Sequence, residues 1–371
     1  MLERPWYLCF NYPLALTAIA LGIFGLVIIK SATLHSADGS GDLIRQTAYL
    51  VIGVVAMLGL AFIDYHLWQR WALPVYVVNI IILGAVAVAG HSALGAQRWI
   101  GVGSIVFQPS EPAKLLTILS IAALLADPKR NYRRLRELWV PVAAIVPPTL
   151  LVLKQPDLGT ALIFVVILTA MLFFALPNLW HFAVYAVGLA AVGAFAILTK
   201  FVLKDYQRER LLAFLHPEAD PQGAGWSLMQ SKIAIGSGQL TGKGLYQGTQ
   251  TQLGFVPEHA TDFIFTVVGE ELGFIGATLL LVFYAALLGL SMLSVVAARD
   301  RYGLFVATGI VSMLLFQVLI NVGMTVGIMP ITGIPLPFIS YGGSSLITCF
   351  LAIGVLLNIH LQRYKMLFGD N

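Results

Sequence analysis

Gly159-Thr-Ala-Leu-Ile-Phe-Val-Val-Ile-Leu-Thr-Ala-Met-Leu-Phe-Phe-Ala-Leu176 runs for eighteen residues without a charged side chain. A helix of about 20 apolar residues, rising 1.5 Å per residue, crosses the hydrocarbon layer, so this stretch reads as a membrane span. The rest of the chain repeats it. Windows of about 19 residues pick out apolar runs near 12–31, 46–63, 72–89, 112–126, 139–153, 159–176, 180–203, 262–297, 303–329 and 344–361. The fourth and fifth are short, and the eighth is long enough to tilt or overrun the bilayer. Of 371 residues 58% are hydrophobic and 11% charged, against roughly 25% charged in soluble domains, which excludes a soluble globular fold. The expected fold is all-α integral membrane: a polytopic bundle of about ten transmembrane helices in a single domain over 1–371.

Charge placement orients the bundle, because Lys and Arg accumulate in short cytoplasmic loops. Lys129, Arg130, Arg133, Arg134 and Arg136 mark one such loop. Arg70, the pair Arg299 and Arg301, and the tail residues Arg363 and Lys365 share its side when the spans number ten and both termini are cytoplasmic. The net charge of +4 therefore speaks of sidedness, and no nucleic-acid partner is expected. The same register makes 204–260 a large extracytoplasmic loop between spans seven and eight. Its five Lys and Arg are matched by five Asp and Glu. Tyr206, Arg210, Leu211, Phe214 and Leu215, then Trp226, Met229 and Ile233, recur at helical spacing and predict two short amphipathic helices at the membrane surface. The first run, Leu14 to Ile29, has a weak preceding n-region and no A-x-A site, and reads as a retained span. Cys9 and Cys349 lie too far apart in the chain to suggest a disulfide framework. The absence of an internal repeat speaks against an inverted-repeat transporter.

Gly236-Ser-Gly-Gln-Leu-Thr-Gly-Lys-Gly244 resembles a phosphate loop only superficially. Ser237 stands where the first Gly belongs, and Gly244 follows Lys243 in place of Ser or Thr. The glycines are read as turn-formers, and any reaction outside the cytoplasm must use an already activated substrate.

Charges at membrane depth cost several kcal/mol unless paired or wetted, and four places draw attention. Glu111 and Lys114 open the fourth span three residues apart, where they can pair. Asp157, between spans five and six, is either a helix cap or part of a site. Thr261 or Asp262 can cap the eighth span, where an acidic residue also complements the helix dipole; nearby His259 reads as a wetted surface residue, since no second metal ligand stands at a suitable spacing. Gly333-Ile-Pro-Leu-Pro-Phe-Ile-Ser-Tyr-Gly-Gly-Ser344, dense in Pro and Gly, suggests a broken or re-entrant segment lining a cavity. Gly323 and Gly327 read as a close helix-packing pair.

In order along the chain, Ala96-Gln-Arg-Trp99, Gln108-Pro-Ser-Glu111, Gln155-Pro-Asp-Leu-Gly159, Gln230-Ser-Lys-Ile-Ala-Ile-Gly-Ser-Gly238, His259-Ala-Thr-Asp-Phe-Ile-Phe265 with Gly269-Glu-Glu-Leu-Gly273, and Pro335-Leu-Pro-Phe-Ile-Ser-Tyr-Gly-Gly343 resemble the signatures of the SEDS family (shape, elongation, division and sporulation) of bacterial membrane proteins. The likeness covers nearly the whole chain, and the loop pieces Tyr206-Gln-Arg-Glu-Arg210 and Asp220-Pro-Gln-Gly-Ala-Gly225 resemble its elongation branch.

The resemblance implies a peptidoglycan glycosyltransferase of the cytoplasmic (inner) membrane that polymerises lipid II on the outer side. It implies an undecaprenyl-pyrophosphate-linked glycan as donor, a class B penicillin-binding protein (a transpeptidase) as partner, and other elongation-complex proteins around it. Asp262 matches the family's essential acidic residue. It is expected to act as general base on the acceptor hydroxyl or to hold a divalent cation, Mg2+ or Mn2+, against the pyrophosphate. A helix N-terminus favours the ionised carboxylate and so suits the ligand role better. Arg98, Lys114, Arg210 and Lys232 are the expected cations near the diphosphate, with Glu111, Asp157 and Ser340 among the substrate-binding positions. A lipid-precursor flippase and a non-enzymatic scaffold remain as alternatives from other classes. Glycan strand formation separates the enzyme from both.

Overall fold

The computed structural model describes residues 10–34, 39–89, 91–93, 96–102, 105–130, 132, 134–198, 207, 210, 213–220 and 223–368. Each of the ten apolar runs overlaps a helix over most of its described residues. In chain order the helices are α1 Tyr12–Ala32, α2 Gly39–Phe62, the short α3 His66–Arg70, α4 Ala72–Ala89, α5 Ser110–Ala126, α6 Trp139–Lys154, α7 Leu158–Ala175 and α8 Leu179–Leu198. They continue with α9 Ala224–Ser237, the short α10 Thr249–Gln252, α11 Ile264–Ala297, α12 Arg301–Val326 and α13 Gly343–Phe368. Among the described residues, seven helical stretches are long and apolar enough to cross a membrane: α1, α2, 136–154, α7, α11, α12 and the first part of α13.

The ends are set by local chemistry. Asn11 caps α1 by accepting from Leu14 N at 3.3 Å, and Asp300 caps α12 by accepting from Gly303 N at 3.1 Å; each satisfies an amide that the helix itself leaves unpaired. α12 and α13 form the buried centre, α13 lying along α2 while α12 packs on α5, α7 and α11. Val51, Val55 and Leu73 instead point outward, as lipid-facing surfaces do.

Several expectations are corrected. A three-stranded antiparallel sheet, β1 His91–Ala93, β2 Ala96–Val102 and β3 Ile105–Phe107, stands between α4 and α5. Strands this short carry too little periodicity for a 19-residue window. Of the two surface helices, Tyr206 and Leu211 lie outside the described residues, and 213–215 are helical. α9 matches the second, but Trp226, Met229 and Ile233 are its exposed side. It buries Gly225, Leu228, Ser231 and Ala234 against α11 and α12, Gly225, Ser231 and Ala234 being small enough to permit close packing. Gly323 and Gly327 are not a packing pair either: Gly327, at φ +85°, ends α12 in the left-handed conformation. Gly323 O accepts from the amides of Gly327, Ile328 and Met329, closing the helix end.

The long α11 is broken within its length. Gly273 sits at φ +65°, ψ −163°, a conformation that only glycine adopts readily. The backbone groups freed there are taken by the Gly-rich loop 239–244. Phe274 N donates to Gln239 O at 2.8 Å and Ile275 N to Leu240 O at 3.1 Å, while Lys243 N and Gly244 N donate to Glu270 O and Glu271 O. The loop that mimics a phosphate cradle is thus a backbone patch, with Gly242 and Gly244 both at positive φ.

Candidate active site

Between α12 and α13, residues 327–342 form neither helix nor strand, as the Pro/Gly density suggested, and Asp262 and Arg210 meet at this segment. It is tied at several points. Gln46 on α2 donates to Ser340 O at 3.3 Å and accepts from Gly342 N at 3.2 Å, and Tyr341 OH donates to Asp42 at 2.8 Å. Ser344 accepts from Gln108 N at 2.9 Å, joining the start of α13 to the entrance of α5.

The turn before α11 is gripped at three successive carbonyls. Tyr341 N donates to Ala260 O at 2.9 Å, Ser340 Oγ to Thr261 O at 2.6 Å, and Asn321 Nδ2 to Asp262 O at 2.8 Å. Ser340 Oγ also accepts from Leu336 N at 2.8 Å, so its hydroxyl is engaged within the protein. The N-cap of α11 is Phe263, without a side-chain cap bond, and Thr261 Oγ1 turns back to Glu258. Neither Thr261 nor Asp262 caps the helix. The half-buried Asp262 carboxylate faces Gly333 instead: a Cβ placed on Gly333 would lie 3.2 Å from Asp262 Oδ2 and 3.7 Å from Arg210 Nη1. The bare Cα of Gly333, at φ +73°, leaves a carboxylate and a guanidinium around one small volume.

A second group adjoins it. Asp157 caps α7, accepting from Thr160 N at 3.1 Å and Thr160 Oγ1 at 2.9 Å, with Gln108 Nε2 at 3.5 Å. Gly159, two residues on, packs against Thr332 and Ile334. Within α5, Lys114 Nζ donates to Glu111 Oε1 at 2.8 Å, both side chains fully buried. Glu111 Oε2 has no partner among the described residues.

The remaining candidates stand apart. Lys232, on α9, lays its Cε and Nζ over Gly327 at the carbonyl end of α12, the end of a helix dipole that favours a cation. Arg98 belongs to β2, and its side chain lies outside the described residues. His259 is not a wetted surface group: its ring nitrogens face Val256 O and Ala32 O, each at 2.9 Å, cross-linking the loop to the end of α1. Among the described residues no three His, Cys, Asp or Glu stand together as a metal cage.

Asn321 and Gln46 escaped the sequence reading, which weighed charges within apolar runs and passed over neutral amides. A buried amide in a span is itself a signal, since it must find partners there.

The cell cycle protein family of FtsW, RodA and SpoVE matches residues 12–365. The chain belongs to this SEDS family. Similar to it is the peptidoglycan glycosyltransferase MrdB of Escherichia coli K12, 40% identical over 356 residues, covering 95% of this chain and 93% of that one. Among solved structures, a chain from work on structural coordination of polymerization and crosslinking by a peptidoglycan synthase complex superposes with a TM-score of 0.82 at 31% identity, covering 97% and 99% of the two chains. The rod shape determining protein RodA of Thermus thermophilus gives 0.71 at 29%, with the same coverage. Family membership and fold agree with the resemblance carried by the motifs, and two of the three carbonyl bonds, from Tyr341 N and Ser340 Oγ, join the SEDS motifs 259–265 and 335–343.

Proposed function

We propose that this SEDS protein is a peptidoglycan glycosyltransferase that polymerises lipid II during cell-wall elongation. In this reading ten spans place both termini in the cytoplasm and 204–260 outside, a class B penicillin-binding protein crosslinks the product, and other elongation proteins assemble with the pair. The observation that carries the reading is the arrangement at Gly333: the Asp262 carboxylate, on a turn held by its own backbone, and the Arg210 guanidinium both lie within 4 Å of the point a Cβ on Gly333 would occupy. Relatives named as peptidoglycan glycosyltransferases support the reaction class.

The 4-hydroxyl oxygen of the acceptor sugar attacks the anomeric carbon of the donor glycan. The bond from that carbon to the pyrophosphate oxygen breaks, and the leaving group departs with its electron pair. Asp262 accepts the hydroxyl proton, and Arg210 offers its planar fork to the departing diphosphate. A divalent cation fits here on a single protein carboxylate, since Mg2+ is commonly bound by one or two carboxylates with substrate phosphates. Asp262 would hold it, and it would supply charge neutralisation for the leaving group. Asp157, Glu111 and Lys114 are proposed as substrate-binding positions; Ser340 holds the turn that carries Asp262; Arg98 and Lys232 are proposed to meet the substrate away from the Gly333 volume.

The test is strand length. Purified chain with its penicillin-binding partner, lipid II and Mg2+ should yield long glycan, and Asp262→Ala only unreacted lipid II. Lipid II crossing the bilayer without lengthening would favour a flippase, and full growth of cells carrying Asp262→Asn would favour a scaffold.

A further inference from the structure

Asn321 lies within α12 and is fully buried. Its Nδ2 donates to two carbonyls at once, Asp262 O and Ile334 O, each at 2.8 Å. These carbonyls belong to the two segments that meet at the candidate site, and Ile334 directly follows Gly333, whose Cα faces the Asp262 carboxylate. One amide therefore spans the gap between the residue that carries the carboxylate and the floor it faces.

The bond compensates for a local irregularity. In a regular helix start, Asp262 O would accept from the amide four residues on. Here Thr266 N donates to Phe263 O at 2.9 Å, a tighter turn, and Asp262 O accepts from Asn321. The amide oxygen of Asn321 meanwhile has no partner among the described residues. An unpaired buried acceptor costs about 1–3 kcal/mol, so the side chain is kept here for its two N–H groups, which no hydroxyl can supply together.

We infer that Asn321 is a positioning residue for Asp262, its amide clamping the Asp262 carbonyl to the Ile334 carbonyl so that the carboxylate stays against Gly333. This rests on Asp262 being the reacting carboxylate. Loss of the clamp leaves the acceptor and donor surfaces in place and displaces only the carboxylate, so it lowers kcat and spares KM. A misplacement of about 1 Å is enough to cost on the order of 100-fold in rate.

The experiment measures lipid II polymerisation by the full chain with its penicillin-binding partner, for Asn321→Leu, Asn321→Ser, Asp262→Ala and Asn321→Leu with Asp262→Ala. Leu removes both donors. Ser is small and polar, keeps one donor, and serves if the Leu variant fails to fold. The expected result is a kcat reduced on the order of 100-fold for Leu and at least about tenfold for Ser, with KM for lipid II within about twofold and no further loss when Leu is added to Asp262→Ala. Native kcat per folded molecule in either Asn321 variant, with Asp262→Ala inactive, overturns the inference. A KM-only effect, or a drop in yield and melting temperature at unchanged kcat, also overturns it. Full activity in Asp262→Ala overturns the underlying reading of Asp262 instead, and is recognised by that variant alone.

Discussion

Glu270 receives Lys243 Nζ at 2.6 Å beside the break in α11, with the Glu270 side chain fully buried and Lys243 partly exposed. The same carboxylate accepts from Gln250 N at 2.8 Å, from Thr251 N at 3.0 Å and from Thr251 Oγ1 at 3.0 Å. It therefore caps α10 and straps 243–252 to the half-helix that Asp262 precedes.

Because Glu270 serves backbone amides as well as Lys243, while Lys243 Nζ bonds only the side chains of Glu270 and Thr249, the two should not be equivalent. Glu270→Ala strands an ammonium and buried amides and should cost about 3–5 kcal/mol. Lys243→Ala leaves the amides still satisfied and should cost about 1.5 kcal/mol. Thermal unfolding in detergent, with limited proteolysis of 238–252, checks the order. Equal losses would show that the carboxylate's backbone bonds contribute little.

Gly333→Ala should hurt activity more than stability. An alanine forced into the left-handed region costs roughly 1–2 kcal/mol, and its methyl would press on Asp262 Oδ2 at 3.2 Å. Gly254 has the same φ of +73° with open space around it, so Gly254→Ala carries comparable strain away from the site. Polymerisation should fall at least about tenfold further in Gly333→Ala than in Gly254→Ala at matched melting loss. Equal activities would mean that the floor of the site does not need to be bare.

The apolar runs made the existence of the helices legible, because spans in lipid need an unbroken apolar length that sequence shows directly, though ends such as those of α2 and α13 lie several residues from the run's limits. α4 falls where the 72–89 run does, and α6 begins with its run at 139. The Glu111–Lys114 pair and the Asp157 cap were equally local and equally readable. What stayed hidden depends on partners distant in sequence. Nothing in 236–244 reveals that it patches Gly273, and Asn321 acquires meaning only when Asp262 and Ile334, one before it and one after, arrive at the same amide. The charge of Lys232 was visible, but its position over the end of α12 was not.

Removal of divalent cations should separate the two roles open to Asp262. With a cation bridging carboxylate and diphosphate, chelation lowers polymerisation by native protein and leaves any residual Asp262→Ala rate unchanged, because the ligand is already gone. Add-back of Mg2+ restores the native rate. A chelated native enzyme that retains its rate would leave Asp262 as the base alone, with Arg210 as the diphosphate's cation.

The buried Glu111–Lys114 pair supports a last prediction, which decides whether it serves the wall or the substrate. Removing either charge leaves the other unpaired at membrane depth, and single variants Glu111→Gln and Lys114→Met should each lose about 3–5 kcal/mol. Replacing both removes two desolvated charges together, and the double variant should recover most of that loss, since neutral groups of similar shape often substitute for a buried pair at little cost. Activity is then the discriminating readout. Glu111 Oε2 is buried without a partner among the described residues, and Lys114 has donors beyond the one given to Glu111, so the pair keeps polar capacity that a purely structural bond would not leave idle. We therefore expect the double variant to melt near the native temperature yet polymerise lipid II at least about tenfold more slowly. Recovery of rate together with stability would make the pair a fastening within α5 and remove Glu111 and Lys114 from the substrate-binding positions.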